Sequence, residues 1–343
     1  MASNSIKVGI NGFGRIGRLV LRAGLKRPEL EFVAVNDLTD AATLAYLFKY
    51  DSTFGPYPGS VEVQGGKIMK IDGRPIEVLA QKDPAKLPWK GVDLVIESTG
   101  RFTDAEKAQA HLAAGAGRVV ISAPAKGEDL TVCMGINEDL FDPDKHRILS
   151  NASCTTNCLA PLAKVLHEAF KVRSGLMTTT HAYTNDQVIL DFPHPDLRRG
   201  RAAGVSMIPT STGAAKAIGL VLPELQGKLH GIAIRVPVQD VSIVDLTVLV
   251  DRPATRDDVN AAFEKAAHGA KLKKYLQVAK EPLVSRDFIG NPSSCIFDST
   301  LTEVMDATLV KAFGWYDNEW GYANRVVDLA VFIARKESVP SKA

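Results

Sequence analysis

Cysteine is scarce in this chain: four residues among 343 (Cys133, Cys154, Cys158 and Cys295), irregularly spaced. That spacing excludes a disulfide framework and a zinc ribbon and fits a reducing compartment. An excess of charge of one sign is also missing, since 41 Lys and Arg stand against 39 Asp and Glu, a net charge of +2. So even a balance excludes whole-molecule attraction to nucleic acid or anionic lipid, and any charged partner must be held by a local cluster. No apolar run approaches the ~18 to 20 residues that a membrane span requires, and Met1 to Lys7 holds no basic region leading into an apolar stretch. Internal repeats, low-complexity tracts and a flexible Gly/Ser linker are lacking too. The expectation is a cytoplasmic chain with no membrane partner and no required nucleic acid.

What is present is ordinary globular material, 45% apolar and 23% charged. At ~150 residues per domain the length suggests about two domains. Val8-Gly9-Ile10, then Ile16, Leu19, Val20 and Ala23 at helical spacing, then Phe32 to Val35 read as a β-α-β unit. Strand-like runs return at 92–96 and 118–121, with a helix between them that Thr103 and Glu106 can open as a capping box. Near-continuous apolar strands separated by helices indicate a parallel sheet covered on both faces, and Asp72-Gly73 after Ile68 to Ile71 adds a hairpin at its edge. After about residue 150 longer strand candidates appear at 175–180, 231–238, 242–250 and 294–302, with a helix after Thr255 and an amphipathic run Val326, Leu329, Ala330, Ile333. This half is expected to be a mostly antiparallel sheet backed by helices, an α+β domain.

Gly12-Phe13-Gly14-Arg15-Ile16-Gly17 matches G-x-G-x-x-G between a strand ending near Asn11 and a helix beginning near Arg15. The first glycine permits the tight turn, the second lets backbone approach a pyrophosphate, and the third allows close helix packing. Asp37 follows the second strand, 20 residues beyond Gly17, where a carboxylate can accept hydrogen bonds from an adenosine ribose and would repel a 2′-phosphate. The cofactor so indicated is NAD.

Ser150-Asn-Ala-Ser-Cys-Thr-Thr-Asn-Cys158 runs into Leu159, Leu162, Val165 and Leu166 at helical spacing, so Cys154 falls near a helix N-terminus. There the partial positive charge favours the thiolate, the competent nucleophile. Pro161 allows a kink. Cys158, one turn on, and Cys133 and Cys295 read as buried structural residues. His181 ends an alternating strand, Thr178-Thr-Thr-His-Ala-Tyr-Thr-Asn-Asp186, a rigid platform for a base, and cysteine with histidine is a pairing of nucleophilic catalysis. The spacings match no usual metal site.

These residues resemble phosphorylating glyceraldehyde-3-phosphate dehydrogenases. The likeness rests on 150–158, His181 to Gln187, Asp196 to Ala203, Pro209 to Lys216, Arg235-Val-Pro237 and Trp315 to Tyr322, in order along residues 8 to about 335. It implies a Rossmann domain over 1–153, completed by a C-terminal helix over 319–343, and a catalytic domain over 154–318. It implies oxidation of glyceraldehyde 3-phosphate with NAD and inorganic phosphate to 1,3-bisphosphoglycerate, the glycolytic and gluconeogenic step, through a thioester on Cys154 with His181 as base, in a homotetramer. By the same likeness Asn318 would hold the nicotinamide carboxamide, Asn11, Arg15 and Ile16 would line the dinucleotide, and Thr99 and Ser122 would lie beside it. Thr184, Asp186 and Arg235 correspond to the substrate-phosphate site; Ser153, Thr155, Arg199, Thr212 and Gly213 correspond to the inorganic-phosphate side. Two departures stand out: Phe192 precedes Pro193 where many NAD-selective members have leucine, and Lys82 stands where an adenine-flanking arginine is frequent. Alternatives are the sister activity on erythrose 4-phosphate and a dinucleotide-dependent binding protein.

Overall fold

The structure is a computed structural model that describes residues 5–337. Met1 to Asn4, and residues 338–343 of the expected terminal helix, lie outside the described residues. The chain divides into two compact units. One comprises residues 1–132, 139–152 and 323–343, and the other residues 133–138 and 153–322.

The first unit opens with β1 (Ile6–Asn11), α1 (Arg15–Gly24) and β2 (Leu30–Asn36), then α2 (Ala41–Lys49) and an edge formed by β3 (Val61–Gln64), β4 (Ile68–Ile71) and β5 (Arg74–Leu79). It continues with β6 (Leu94–Glu97), α3 (Ala105–Ala113), β7 (Arg118–Ile121), β8 (Leu130–Thr131) and β9 (Ile148–Ser150). These strands form one sheet in the order β3-β4-β5-β2-β1-β6-β7-β9-β8. β1 pairs in parallel with β2 on one side and β6 on the other, so the chain reverses its direction of travel across the sheet at β1. The crevice at the carboxyl ends of β1 and β6 is where doubly wound sheets bind ligands. Val8, Ile10, Val95 and Ile96 are fully buried because helices cover both faces. The edge hairpin turns at Asp72 and Gly73, both with positive φ (48° and 80°), the geometry of a type I′ turn. The helix expected to open on Thr103 begins one residue later. Asp104 is its N-cap and accepts from the Glu106 amide, displacing the Thr103 box.

The second unit is built on α4 (Cys154–Phe170), which continues through Pro161 as one helix. Its sheet runs β11 (Ile208–Ser211), β12 (Leu229–Val236), β10 (Val172–Ala182), β13 (Ser242–Val250), β17 (Leu309–Tyr316), β15 (Cys295–Asp298) and β14 (Leu276–Ala279), with β16 (Glu303–Met305) on β17. The sheet is mixed: β10 with β12 and β14 with β15 are parallel, and the other pairs are antiparallel. The strand expected over 294–302 is shorter, because residues 299–301 form a turn of 3₁₀ helix capped by Asp298. α5 (Ala214–Val221) and α6 (Arg256–His268) complete the layer, and α6 opens on a Thr255/Asp258 capping box. Along β17 alternate residues Val310, Ala312, Gly314 and Tyr316 are buried, so one face of the sheet lies in the core with α4, whose Cys158, Leu159, Leu162 and Leu166 are wholly buried.

α7 (Trp320–Glu337) closes the chain, and from Ala323 onward it belongs to the first unit. Phe332 packs edge-on to Phe141 with ring centroids 6.1 Å apart, and Asp328 pairs with Arg27 at 3.3 Å. Among the described residues no helix is long and apolar enough to cross a membrane, and no cluster of His, Cys, Asp and Glu is arranged to hold a metal ion.

Candidate active site

In the first unit the glycine-rich turn has the shape a dinucleotide needs. Gly12 has φ +92°, and a Cβ built on it would lie 2.5 Å from the Thr99 amide nitrogen. A Cβ on Gly17 would lie 2.2 Å from the Gly12 carbonyl oxygen, so α1 can approach β1 this closely only with glycine there. Gly14 instead faces open space and caps α1 without a side chain, so backbone alone borders the first turn where a phosphate would approach. Asp37 accepts from the amides of Phe13 (2.8 Å) and Leu38 (2.7 Å), which fixes its carboxylate beside the turn. A cleft of about 350 Å³ is lined by Asn11, Gly12, Gly14, Asp37, Lys82 and Thr99 with their neighbours. The Arg15 side chain points elsewhere, into an ion pair with Asp51 at 3.0 Å, and Ser122 is placed by its amide on the Glu97 carbonyl. The tight glycine turn, the first turn of α1 and the fixed carboxylate of Asp37 are the features that an adenosine ribose and a pyrophosphate require, and they fit NAD.

Beneath the cleft runs a buried chain of hydrogen bonds that no motif announces. The Trp89 Nε1–H donates to His111 Nδ1 (2.9 Å), so the proton of the neutral ring is on Nε2, which donates to Glu97 Oε2 (2.9 Å). Glu97 also accepts from Asn11 Nδ2 (2.6 Å) and from the amide and hydroxyl of Thr99 (2.8 and 2.5 Å). Asn11 Oδ1 in turn accepts from Asn36 Nδ2 (2.7 Å). The ends of β1, β2 and β6 are thereby tied at the sites where a cofactor would be gripped.

In the second unit Cys154 is the first residue of α4, with Ser153 as N-cap accepting from the Thr156 amide. Its Sγ lies 3.5 Å from His181 Nε2. His181 Nδ1 is 2.6 Å from the Ala182 carbonyl, which can only accept, so Nδ1 holds the proton and Nε2 offers its lone pair to the thiol. Burial, then the positive charge of Arg235, lowers His181 to about 4, so the ring is neutral at pH 7. Burial also pushes the Cys154 thiol up, while the Thr155 hydrogen bond and the Arg235 charge pull it down. The imidazole of the pair is therefore neutral, with its Nε2 lone pair on the Cys154 side.

Strand register brings the remaining groups in. His181 on β10 is directly opposite Arg235 on β12, so their side chains share a face. Arg235 donates through Nη1 to Thr184 (2.7 Å), while its Nε is buried with no partner, as expected of a guanidinium built to meet an anion. The Tyr316 hydroxyl bridges Thr155 and Thr179, 2.8 Å from each, and its ring stands edge-on to His181, with centroids 5.9 Å apart. Thr155 is therefore spent inside the core. Asp186 lies against Arg199, which also contacts Thr210 (2.9 Å), so this carboxylate holds a cation rather than facing an anion. Thr212 accepts from the Ala214 amide and, with Gly213, forms the start of α5. Asn318 accepts from the Ser242 hydroxyl (2.7 Å), leaving its Nδ2 to donate to a ligand. Cys133, Cys158 and Cys295 are fully buried.

A doubly wound cofactor unit with this glycine turn and acid, joined to a unit that presents cysteine against histidine, defines an NAD-dependent oxidoreductase. Residues 6–105 match the family model "Glyceraldehyde 3-phosphate dehydrogenase, NAD binding domain", and residues 153–318 match its C-terminal domain. The chain is 58% identical over 334 residues to the glyceraldehyde-3-phosphate dehydrogenase of Geobacillus stearothermophilus, covering 97% of this chain and 99% of the relative. It is 57% identical, at the same coverage, to glyceraldehyde-3-phosphate dehydrogenase 2 of Streptomyces avermitilis and glyceraldehyde-3-phosphate dehydrogenase 1 of Bacillus subtilis. The chain belongs to the glyceraldehyde 3-phosphate dehydrogenase family.

Proposed function

We propose that this protein oxidises glyceraldehyde 3-phosphate with NAD and inorganic phosphate to 1,3-bisphosphoglycerate through a thioester on Cys154. The observation that carries the reading is the 3.5 Å approach of Cys154 Sγ to His181 Nε2, with the His181 tautomer set by the Ala182 carbonyl. His181 takes the thiol proton as sulfur adds to the aldehyde carbon, and the hemithioacetal oxygen then receives that proton. Bound NAD supplies the hydride acceptor. As hydride leaves the carbon, His181 Nε2 takes the hydroxyl proton again, and a thioester remains. A phosphate oxygen attacks the thioester carbon, expelling the Cys154 sulfur, which recovers its proton.

The chemistry needs two anion seats. Arg235, with its unpartnered Nε, and Thr184 serve the substrate phosphate; Ser153, Arg199, Thr212 and Gly213 serve inorganic phosphate, with Asp186 orienting Arg199 and Thr155 fixed through Tyr316. Asn11, Gly12, Gly14, Arg15, Ile16, Gly17, Asp37, Lys82, Thr99 and Ser122 hold the dinucleotide, and Asn318 holds the carboxamide. Residues 1–153 with the terminal helix are the cofactor domain, and 154–318 are the catalytic domain. A cytoplasmic homotetramer is the assembly we assign. It is supported by the open face of the second sheet, where Leu176 is 68% exposed, and by Ile189, Leu190, Phe192 and Leu197 on the exposed 188–205 segment.

The test is the initial rate of NADH formation from glyceraldehyde 3-phosphate and NAD, with and without inorganic phosphate. Turnover that depends on phosphate supports the reading; turnover only with erythrose 4-phosphate, or none, overturns it.

A further inference from the structure

Two carboxyl groups meet in the core beside Asn318. Asp240 and Asp317 are each 1% exposed, and their carboxyl groups lie close enough to act on one another. β13 and β17 are antiparallel with Ser242 opposite Tyr316 at the last rung, so Asp240 and Asp317 lie just beyond that rung on adjoining strands. Asp317 is fully served as an anion: Oδ1 accepts from the amides of Glu319 (3.0 Å) and Trp320 (2.6 Å), and Oδ2 accepts from Gly290 (2.8 Å). Asp240 is not. Its Oδ1 accepts from the Val241 amide (2.8 Å), while its Oδ2 is buried with no donor. An oxygen in that position, against an occupied carboxylate, is satisfied by carrying a proton and donating it to Asp317.

The pair sits one step from the cofactor anchor along both strands. Asn318 follows Asp317, and its Oδ1 accepts from Ser242, which lies two residues after Asp240 and itself accepts from the Ala182 amide (3.0 Å). Between them Val241 is held at φ 68°, a conformation β-branched residues rarely adopt, with its amide tied to Asp240. We propose that Asp240 is a positioning residue: the Asp240–Asp317 pair shares one proton that keeps Ser242 and Asn318 in register, and losing it loosens the hold on the nicotinamide, so NAD affinity falls in alkaline solution. This rests on the reading of Asn318 as the carboxamide anchor.

The charges that bear on Asp240 are the acids Asp317 and Glu319, and the loop packed against the pair contributes the Gly290 amide. Burial, then those two negative charges, raise Asp240 to about 9, and burial raises Asp317 as well. Ionising both would set two charges together with no added donor.

The experiment is NAD binding to the full chain from pH 7 to pH 10, by titration calorimetry, for wild type, Asp240→Asn and Asn318→Ala. An asparagine donates to Asp317 and accepts from Val241 as the protonated acid does, but cannot ionise. Wild type should bind about tenfold more weakly at the alkaline end, the effect of one lost hydrogen bond, while D240N keeps its pH 7 affinity throughout. A flat wild-type profile, or the same alkaline loss in D240N, overturns the proposal. N318A binding as tightly as wild type overturns the reading of Asn318 instead. If D240N does not fold, the infrared band of a buried protonated carboxyl in wild type decides. It must be present at pH 7 and vanish over the range where NAD affinity falls, and its absence at pH 7 overturns the shared proton.

Discussion

Replacing His111 with leucine tests whether the buried chain beneath the cofactor cleft holds the first unit together. The substitution keeps an apolar body of similar bulk but removes two hydrogen bonds in a place water does not reach, since His111 and Trp89 are fully buried and Glu97 nearly so. The Trp89 indole N–H loses its partner, His111 Nδ1, at a cost of about 1–3 kcal/mol for an unsatisfied buried donor. Glu97 loses one charge-assisted donor but keeps Asn11 and Thr99, which adds about 1.5–3 kcal/mol. The sum, roughly 2.5–6 kcal/mol, is a large fraction of a typical domain's stability and corresponds to a fall in thermal midpoint on the order of 10 °C. Scanning calorimetry of wild type, H111L and H111Q measures it. Glutamine, which can both donate to Glu97 and accept from Trp89, should recover part of the loss. Because Asn11 and Thr99 hang from Glu97, H111L should also weaken NAD binding. A midpoint within about 2 °C of wild type would refute the claim that this chain is a structural tie under the cofactor site.

Other consequences follow at the second unit. His181→Ala should lower turnover by about 10²- to 10⁴-fold, the usual contribution of a general base. It should also move the pH profile of Cys154 alkylation to higher pH; an unshifted profile would separate the two residues. Arg235→Leu should weaken use of the phosphorylated aldehyde by roughly 10- to 100-fold while sparing the reaction of an unphosphorylated analogue, as steady-state kinetics with both substrates will show. The depressed His181 pKa makes the unfolded chain bind more protons than the native one between about pH 6.5 and 4, so stability from this group is complete above pH 6.5 and is lost as pH falls. The loss approaches about 3 kcal/mol, and denaturant melts at pH 5 and pH 7 should show His181→Gln less acid-sensitive than wild type.

How far the sequence could be read depended on how local each signal was. The Gly12 to Gly17 turn, the acid at Asp37 and the Asp72-Gly73 hairpin are written in a few adjacent residues, and the structure shows each in the geometry its residue types require. Cys154 at a helix start and His181 at a strand end were legible one at a time. Their 3.5 Å approach depends on how α4 packs on β10, which no spacing encodes. The same limit hid Tyr316, whose partners Thr155 and Thr179 lie 161 and 137 residues away, and the Trp89, His111 and Glu97 chain. Burial is a second kind of signal that the sequence does not carry: it pushes the Cys154 thiol up, opposite to the pull of the helix start. The cap at Asp104 rather than Thr103 is a one-residue competition between two good capping side chains, settled by the Glu106 amide.

The most direct measurement is mass spectrometry of the protein mixed with glyceraldehyde 3-phosphate and NAD in the absence of inorganic phosphate. The mechanism requires the mass of a phosphoglyceroyl group on the peptide containing Cys154, removed when phosphate is added. No adduct, or one on another residue, would contradict it.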